Sequence, residues 1–202
     1  DYTPPVPESE CVTVLQGMKQ EAPDGVKVSY AMGSGFSEAD EHEKAKAMAL
    51  AEESDVIVAV VGGSSSRFGG AVFDANGAAS KGTGSRSMDC GEGMDTAKVH
   101  IPAAQEELIA ALARLGKPLV TVVIAGRAHC IEKFANASDA VLYAFYPGPM
   151  GGRAVAELLY GSSNPSGRLP VSMPRHVGQI PVCYNYRTSV APAYCDMTSQ
   201  PL

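Results

Sequence analysis

The sequence predicts an α/β fold: a doubly wound, mostly parallel sheet flanked by helices. Short β-branched runs recur along the chain and are apolar at successive positions, as suits strands covered on both faces. Segments of helical period lie between them, and this alternation builds parallel sheets through crossover connections. One long connection, from Gly62 to Ile101, breaks the alternation directly after a strand-like run.

Val26 to Met32 reads as the first strand. Val56 to Val61 is a second, closed by Gly62-Gly63. Leu119 to Ile124 repeats that form and ends in Ala125-Gly126, and Ala140 to Tyr146 is stopped by Pro147-Gly148. Arg168 to Met173 is a shorter fifth candidate. Helices fit between these runs. Glu10 to Gln20 is one. Ser37 to Ser54 is rich in Ala, Glu and Lys, with Ser37 placed to cap it. Pro102 to Leu115 carries Leu108, Ile109, Leu112 and Leu115 on one stripe and is stopped by Gly116 and Pro118. Met150 to Tyr160 ends at Gly161. Residues 1–176 are expected to form the α/β domain, and 177–202 an irregular segment rich in Pro and Tyr.

The chain has 202 residues, 45% hydrophobic and 19% charged, enough for one domain with a sizeable core. A net charge of -6 without a run of like charges argues against nucleic acid or an anionic membrane surface as partner. No apolar stretch is long enough to span a bilayer. The opening Asp1-Tyr2-Thr3-Pro4-Pro5 has neither an initiator Met nor the charged and apolar regions of a signal peptide, and reads like the middle of a longer protein. Cysteines at 11, 90, 130, 183 and 195 match no metal-binding spacing. Free, partly buried thiols are the simpler expectation, with Cys183–Cys195 the alternative pairing. His42, His100, His129 and His176 also lack metal-ligand spacing, and each is read as a surface or satisfied histidine. No metal or cofactor is expected.

The long connection is where chemistry is expected, because open α/β sheets bind ligands beyond the carboxyl ends of their strands and loops this long are seldom idle. Within it lies Asp89-Cys90-Gly91-Glu92-Gly93-Met94-Asp95. Two flanking glycines let a substrate approach Glu92 closely, as a general acid requires. By spacing alone a solvated acidic turn explains the tripeptide better. Gly62-Gly63-Ser64-Ser65-Ser66-Arg67 offers backbone N–H groups, hydroxyls and a guanidinium to a polyhydroxylated ligand, or simply pairs Arg67 with a nearby Asp. Gly33-Ser34-Gly35 lacks the third glycine of a dinucleotide site, and the absence of Gly-x-Ser-x-Gly disfavours a serine hydrolase. The glycines of Pro147-Gly148-Pro149-Met150-Gly151-Gly152 are read as a packing turn, and Asn164 to Pro170 as a structural turn.

Taken in order, several of these pieces resemble the family 3 glycoside hydrolases. They are Asp55 to Gly63, Gly91-Glu92-Gly93-Met94-Asp95, Gln105-Glu106-Glu107-Leu108-Ile109, Gly116-Lys117-Pro118-Leu119-Val120, Tyr146-Pro147-Gly148 with Gly151-Gly152, and Asn164 to Ser172, followed by Pro174-Arg175 and Gly178 to Pro181. The resemblance covers almost the whole chain and points to the bacterial β-glucosidase and β-xylosidase branch, with glucosidase ahead. It implies an α/β sandwich domain that follows a barrel domain, the active site lying between them. It implies that Glu92 is the acid/base residue of a retaining mechanism and that the nucleophilic Asp comes from the barrel. Ser65, Arg67 and Asp95 become candidate substrate contacts for a β-glucoside or oligosaccharide. A periplasmic or secreted location is implied as well. Family members usually open this domain with a strand upstream of the Asp1-Tyr2-Thr3 segment. The expectation is therefore that the first strand and the barrel come from elsewhere, as a second chain, and that this chain alone is inactive. Thr96 after Asp95 replaces the family's usual Arg, and Ile101-Pro102-Ala103 replaces Leu-Pro-Gly. The first departure keeps open a non-catalytic carbohydrate-binding role. The glycine turns by themselves suggest a flavodoxin-like nucleotide domain as a further alternative.

Overall fold

The computed structural model describes residues 6–65, 72–73, 75–76, 79–80, 88–91, 96–183, 185, 193–194, 197–198 and 201–202. In chain order the elements are α1 (Val14–Gln20), α2 (Glu41–Glu52), β1 (Ile57–Gly62), the short β2 (Val72–Phe73) and β3 (Ala79–Ser80), then α3 (Ala103–Ala113), β4 (Leu119–Ile124), α4 (Glu132–Ala135), β5 (Ala140–Tyr143), α5 (Gly151–Leu159), β6 (Ala193–Tyr194) and β7 (Met197–Thr198). The main sheet is parallel in the order β1-β4-β5, with Ile57 opposite Leu119 and Val120 opposite Ala140. Small antiparallel pairs, β2-β3 and β6-β7, lie in the long connection and in the C-terminal segment. Among the described residues no helix is long and apolar enough to cross a membrane.

The central strand shows why its sequence is apolar apart from Thr121. Leu119, Thr121, Val122 and Val123 of β4 are all buried, so both faces are covered. Ile109 and Leu112 of α3 and Phe134 of α4 join the same core, with Ile57, Ala59 and Val61 of β1. The buried Thr121 hydroxyl bonds Ser138, whose hydroxyl donates to the Phe134 carbonyl, so this polar group is satisfied inside the core.

Three expected features shift. The helix expected from Ser37 begins at Glu41, because Asp40 caps it: its carboxylate accepts from the N–H groups of His42 and Glu43, both at 3.0 Å. The helix expected from Glu10 begins at Val14, fixed by a capping box in which Thr13 and Gln16 bond each other's backbone N–H. Pro102 is the N-cap of α3 rather than its first helical residue.

Two expected strands are absent. Residues 26–32 run without ladder bonds, with Tyr30 64% exposed. Strand identity needs a paired neighbour, and no described strand pairs with this segment. Residues 168–173 likewise form no strand: Leu169 and Val171 are exposed, while Met173 is buried and its carbonyl accepts from Leu202.

Helices α1 and α5 cross with almost no side chain between them. A Cβ on Gly152 would sit 2.1 Å from the Thr13 carbonyl oxygen, and one on Gly17 2.2 Å from that of Gly152. The Gly152 N–H donates to the Val12 carbonyl at 3.0 Å, and Tyr160 donates its hydroxyl to the Met18 carbonyl at 2.9 Å. Gly151 packs its bare face on Pro147. The glycine pair therefore serves packing.

Candidate active site at the carboxyl ends of the strands

Strands β1, β4 and β5 end side by side, and their exits gather a cluster of polar side chains. Gly62 lies so close to β4 that a Cβ would meet the Ile124 carbonyl oxygen at 1.8 Å, and its φ of 151° suits glycine. Gln105, buried in the first turn of α3, fixes this exit: its carbonyl accepts from the Gly62 N–H at 2.7 Å, and its amide donates to the Gly62 carbonyl at 3.1 Å and the Phe36 carbonyl at 2.8 Å. A neutral amide is suited to this position because it offers both acceptor and donors.

Asp89 then ties the returning end of the long connection to the same exit. Its carboxylate accepts from the Ser64 N–H at 2.7 Å, and the Asp89 N–H donates to the Ser64 carbonyl at 2.9 Å. The carboxylate lies over Gly63, where a Cβ would approach it to 2.5 Å. Its second oxygen, Oδ2, faces Nε2 of His129 at 3.6 Å. Both atoms are buried and have no hydrogen-bond partner among the described residues. His129 is only 1% exposed, and its Nδ1 lies 3.3 Å from the Val99 carbonyl. It is thus a buried histidine satisfied on one nitrogen only, which corrects its reading as a surface or satisfied residue. Burial holds its pKa below the ordinary histidine value, against the pull of Asp89 and the Val99 carbonyl.

Two tyrosines, Tyr143 at the end of β5 and Tyr146 just beyond it, complete the cluster. Tyr143 donates its hydroxyl to the Arg127 carbonyl, and burial pushes its pKa up to about 12. Tyr146, half exposed, has its hydroxyl 3.4 Å from the Cys90 sulfur and packs its ring over Gly126. Burial and then the Cys90 contact raise its pKa, opposed by a hydrogen bond with Ser65. Phe145, between them, takes a positive φ of 51° that turns the chain.

Tyr143 carries a pH prediction. The folded protein keeps its phenol proton up to about 12, whereas the unfolded chain releases it near the ordinary 10. The folded state therefore binds more protons in this window, and stability falls as pH rises through it. Because the ring is only half-buried, the loss should be about 1–2 kcal/mol. Urea midpoints measured across this range should decline for the native chain and flatten for Y143F. An equal decline in both would contradict the assignment.

Of the site residues expected from sequence, Ser65 lies in this cluster beside Tyr146. Glu92, Arg67 and Asp95 lie outside the described residues. Asp89, Gln105, His129, Tyr143 and Tyr146 were not singled out as site residues. Asp89 adjoins the Gly91-Glu92-Gly93 motif, and Gln105 and Tyr146 stand in runs that carry the family resemblance, so adjacency was the one available signal. Cys11, Cys90, Cys130 and Cys183 are free, as expected of them, while Cys195 is outside the described residues.

Comparison with known proteins agrees with this architecture. The model of the glycosyl hydrolase family 3 C-terminal domain matches residues 1–200. A β-xylosidase of Formosa agariphila is 34% identical over 173 residues, 86% of this chain and 21% of that protein. A periplasmic β-glucosidase of Salmonella typhimurium is 34% identical over 204 residues, 91% of this chain and 24% of that protein. Among solved structures, a β-glucosidase from Listeria innocua in complex with isofagomine superposes with a TM-score of 0.74 at 29% identity, covering 96% of this chain and 25% of that one. A β-glucosidase involved in saponin metabolism from intestinal bacteria gives 0.77 at 30% identity, covering 100% and 29%. The chain spans about a quarter of the length of these relatives. A parallel sheet closed by helices, a polar cluster at its carboxyl ends and a match over nearly every residue place this chain in glycosyl hydrolase family 3, as a C-terminal domain.

Proposed function

We propose that this chain supplies the acid/base half of a retaining β-glycosidase that hydrolyses terminal non-reducing β-D-glucosyl residues, with xylosyl residues as the second choice. The observation that carries the reading is the anchoring of Asp89 and Cys90 at the carboxyl ends of the sheet, where their N–H groups meet the Ser64 carbonyl at 2.9 and 3.4 Å. Glu92 follows directly in sequence. A carboxylic acid there donates its proton to the glycosidic oxygen while a nucleophilic Asp, supplied by a barrel domain, attacks the anomeric carbon. The resulting carboxylate then removes a proton from the water that opens the glycosyl-enzyme. Two carboxyl groups about 5–5.5 Å apart are needed for this retaining course. Ser65, Arg67 and Asp95 are the proposed substrate contacts from this chain. The relatives' names include both glucosidases and xylosidases, and a periplasmic enzyme supports a periplasmic or secreted setting.

The partner is a second chain, or a further part of the same protein, that carries the barrel and one more strand. The outer edge of β1 is unpaired among the described strands, and Val60 on it is 46% exposed. A groove of about 310 Å³ runs beside it between Met32, Phe36, Val60 and Leu108. A strand entering there would pair with β1 and give residues 26–32 the neighbour they lack. The purified 202-residue chain should hydrolyse neither aryl β-glucosides nor aryl β-xylosides, and adding a barrel partner with the extra strand should restore turnover. Turnover by the chain alone would sink the division of labour proposed here. Glucoside turnover exceeding xyloside turnover in the assembled enzyme would fix the substrate class.

The exchange of the family's usual Arg for Thr96 favours a second reading, a carbohydrate-binding homologue without catalysis. Thr96 is engaged in a local turn, its hydroxyl donating to the Lys98 carbonyl at 2.9 Å. Sugar binding by the assembled protein without hydrolysis would select that reading.

A further inference from the structure

The Asp89–His129 contact is not used by the chemistry above, and its geometry is incomplete in an instructive way. A carbonyl only accepts, so the Nδ1 of His129 that faces Val99 carries the ring's proton, and the Nε2 of the neutral ring is a bare acceptor. Opposite it stands Asp89 Oδ2, also an acceptor, 3.6 Å away and equally buried. Two buried acceptors left facing each other are unfavourable, whereas a hydrogen placed between them joins the two groups. Asp89 is otherwise fully committed: Oδ1 accepts from Ser64, and its own N–H donates back to the Ser64 carbonyl. Gly63 beneath it has no side chain, so the carboxylate lies flat on the backbone of the β1 exit. Cys90, next in the chain, repeats the attachment through its N–H to Ser64 and its sulfur to Tyr146. The base of the connection is thereby held to the exits of β1 and β5, with His129 beyond β4 facing it.

We propose that Asp89 and His129 are positioning residues for Glu92, fastening the backbone that leads into it to the ends of β1 and β4. The inference rests on the reading of Glu92 as acid/base residue. An acid that is misplaced by about 1 Å loses on the order of 100-fold in its step. That loss appears only where the leaving group needs a proton. A merely structural defect would lower all substrates together.

The test uses the assembled enzyme and compares kcat/KM on an alkyl β-glucoside, a poor leaving group, with a dinitrophenyl β-glucoside, which departs without protonation. D89A and H129Q should each lose about 10–100-fold on the alkyl glucoside and under about 3-fold on the dinitrophenyl one. D89N should recover most of the alkyl loss, because its amide keeps an acceptor for Ser64 and offers His129 Nε2 a permanent N–H. Equal losses on both substrates, no loss, or a D89N as defective as D89A would overturn the proposal. If D89A fails to fold, H129Q decides by the same comparison. E92A is measured in parallel. Should it show no dependence on leaving group, the acid/base reading falls and the positioning role with it. Should E92A show the dependence while D89A and H129Q do not, only the positioning role falls.

Discussion

Replacing Glu92 by Ala in the assembled enzyme should lower kcat/KM for alkyl glycosides by about 100- to 10,000-fold, the usual contribution of a general acid. Activated aryl glycosides should fare better in their first step, since their leaving groups need no proton. They should then stall as glycosyl-enzyme, because no base remains to activate water. Azide needs no base, so adding it should restore turnover and release the β-glycosyl azide with retained configuration. This pattern separates a catalytic carboxylate from one that binds substrate, which would raise KM with little change in kcat. An E92A enzyme with native turnover on alkyl glycosides, or one deaf to azide, would remove Glu92 from the mechanism and favour the carbohydrate-binding reading.

The largest expected effect on stability is at the crossing of α1 and α5. Exchanging Gly for Ala inside a helix normally gains up to about 1 kcal/mol from propensity. At Gly152 the new methyl would lie 2.1 Å from the Thr13 carbonyl oxygen and 2.3 Å from that of Val12, both backbone atoms that no rotamer change can move aside. The helices must separate, and the Gly152 N–H bond to Val12 goes with them. Overpacking of this kind outweighs the propensity gain, and G152A should be destabilised by about 2–4 kcal/mol. For a domain of this size that corresponds to a drop in Tm of roughly 4–16 °C. Gly167 has nothing within 4 Å of its would-be Cβ and no positive φ, so G167A serves as the control and should stay within about 0.5 kcal/mol. Equal melting of the two variants would show that the crossing tolerates separation.

The parts of the fold legible in the sequence are those whose signal is local. Leu119 to Ile124 is apolar at every position but Thr121 and is the central strand, with the same bounds in sequence and structure. The stripe of Leu108, Ile109 and Leu112 marks the buried face of α3. Residues 26–32 have as good a strand composition as β1, yet β structure is a property of pairs, and no described strand pairs with them. Asp40 displaced Ser37 as a cap because its carboxylate reaches two N–H groups at once, a competition that residue type alone leaves undecided. Gly91-Glu92-Gly93 is a local motif and can be read as sequence, but its Glu92 lies outside the described residues. His129 and Asp89 are forty positions apart. They meet because two parallel strands end together, and no spacing rule announces such a meeting. Gln105 was visible as part of the family pattern, but its triple attachment to Gly62 and Phe36 belongs to the folded chain.

The bare edge of β1 also bears on how this chain behaves in isolation. An edge strand that no described strand pairs on its outer side, capped at Gly62 by Gln105 and with exposed Val56 and Val60 along it, is a template for any extended chain, including another copy. The surface proposed to receive a strand is then a route to edge-to-edge association at high concentration. Colloidal behaviour is thus governed by one strand's width of backbone, and a single complementary strand would close that route.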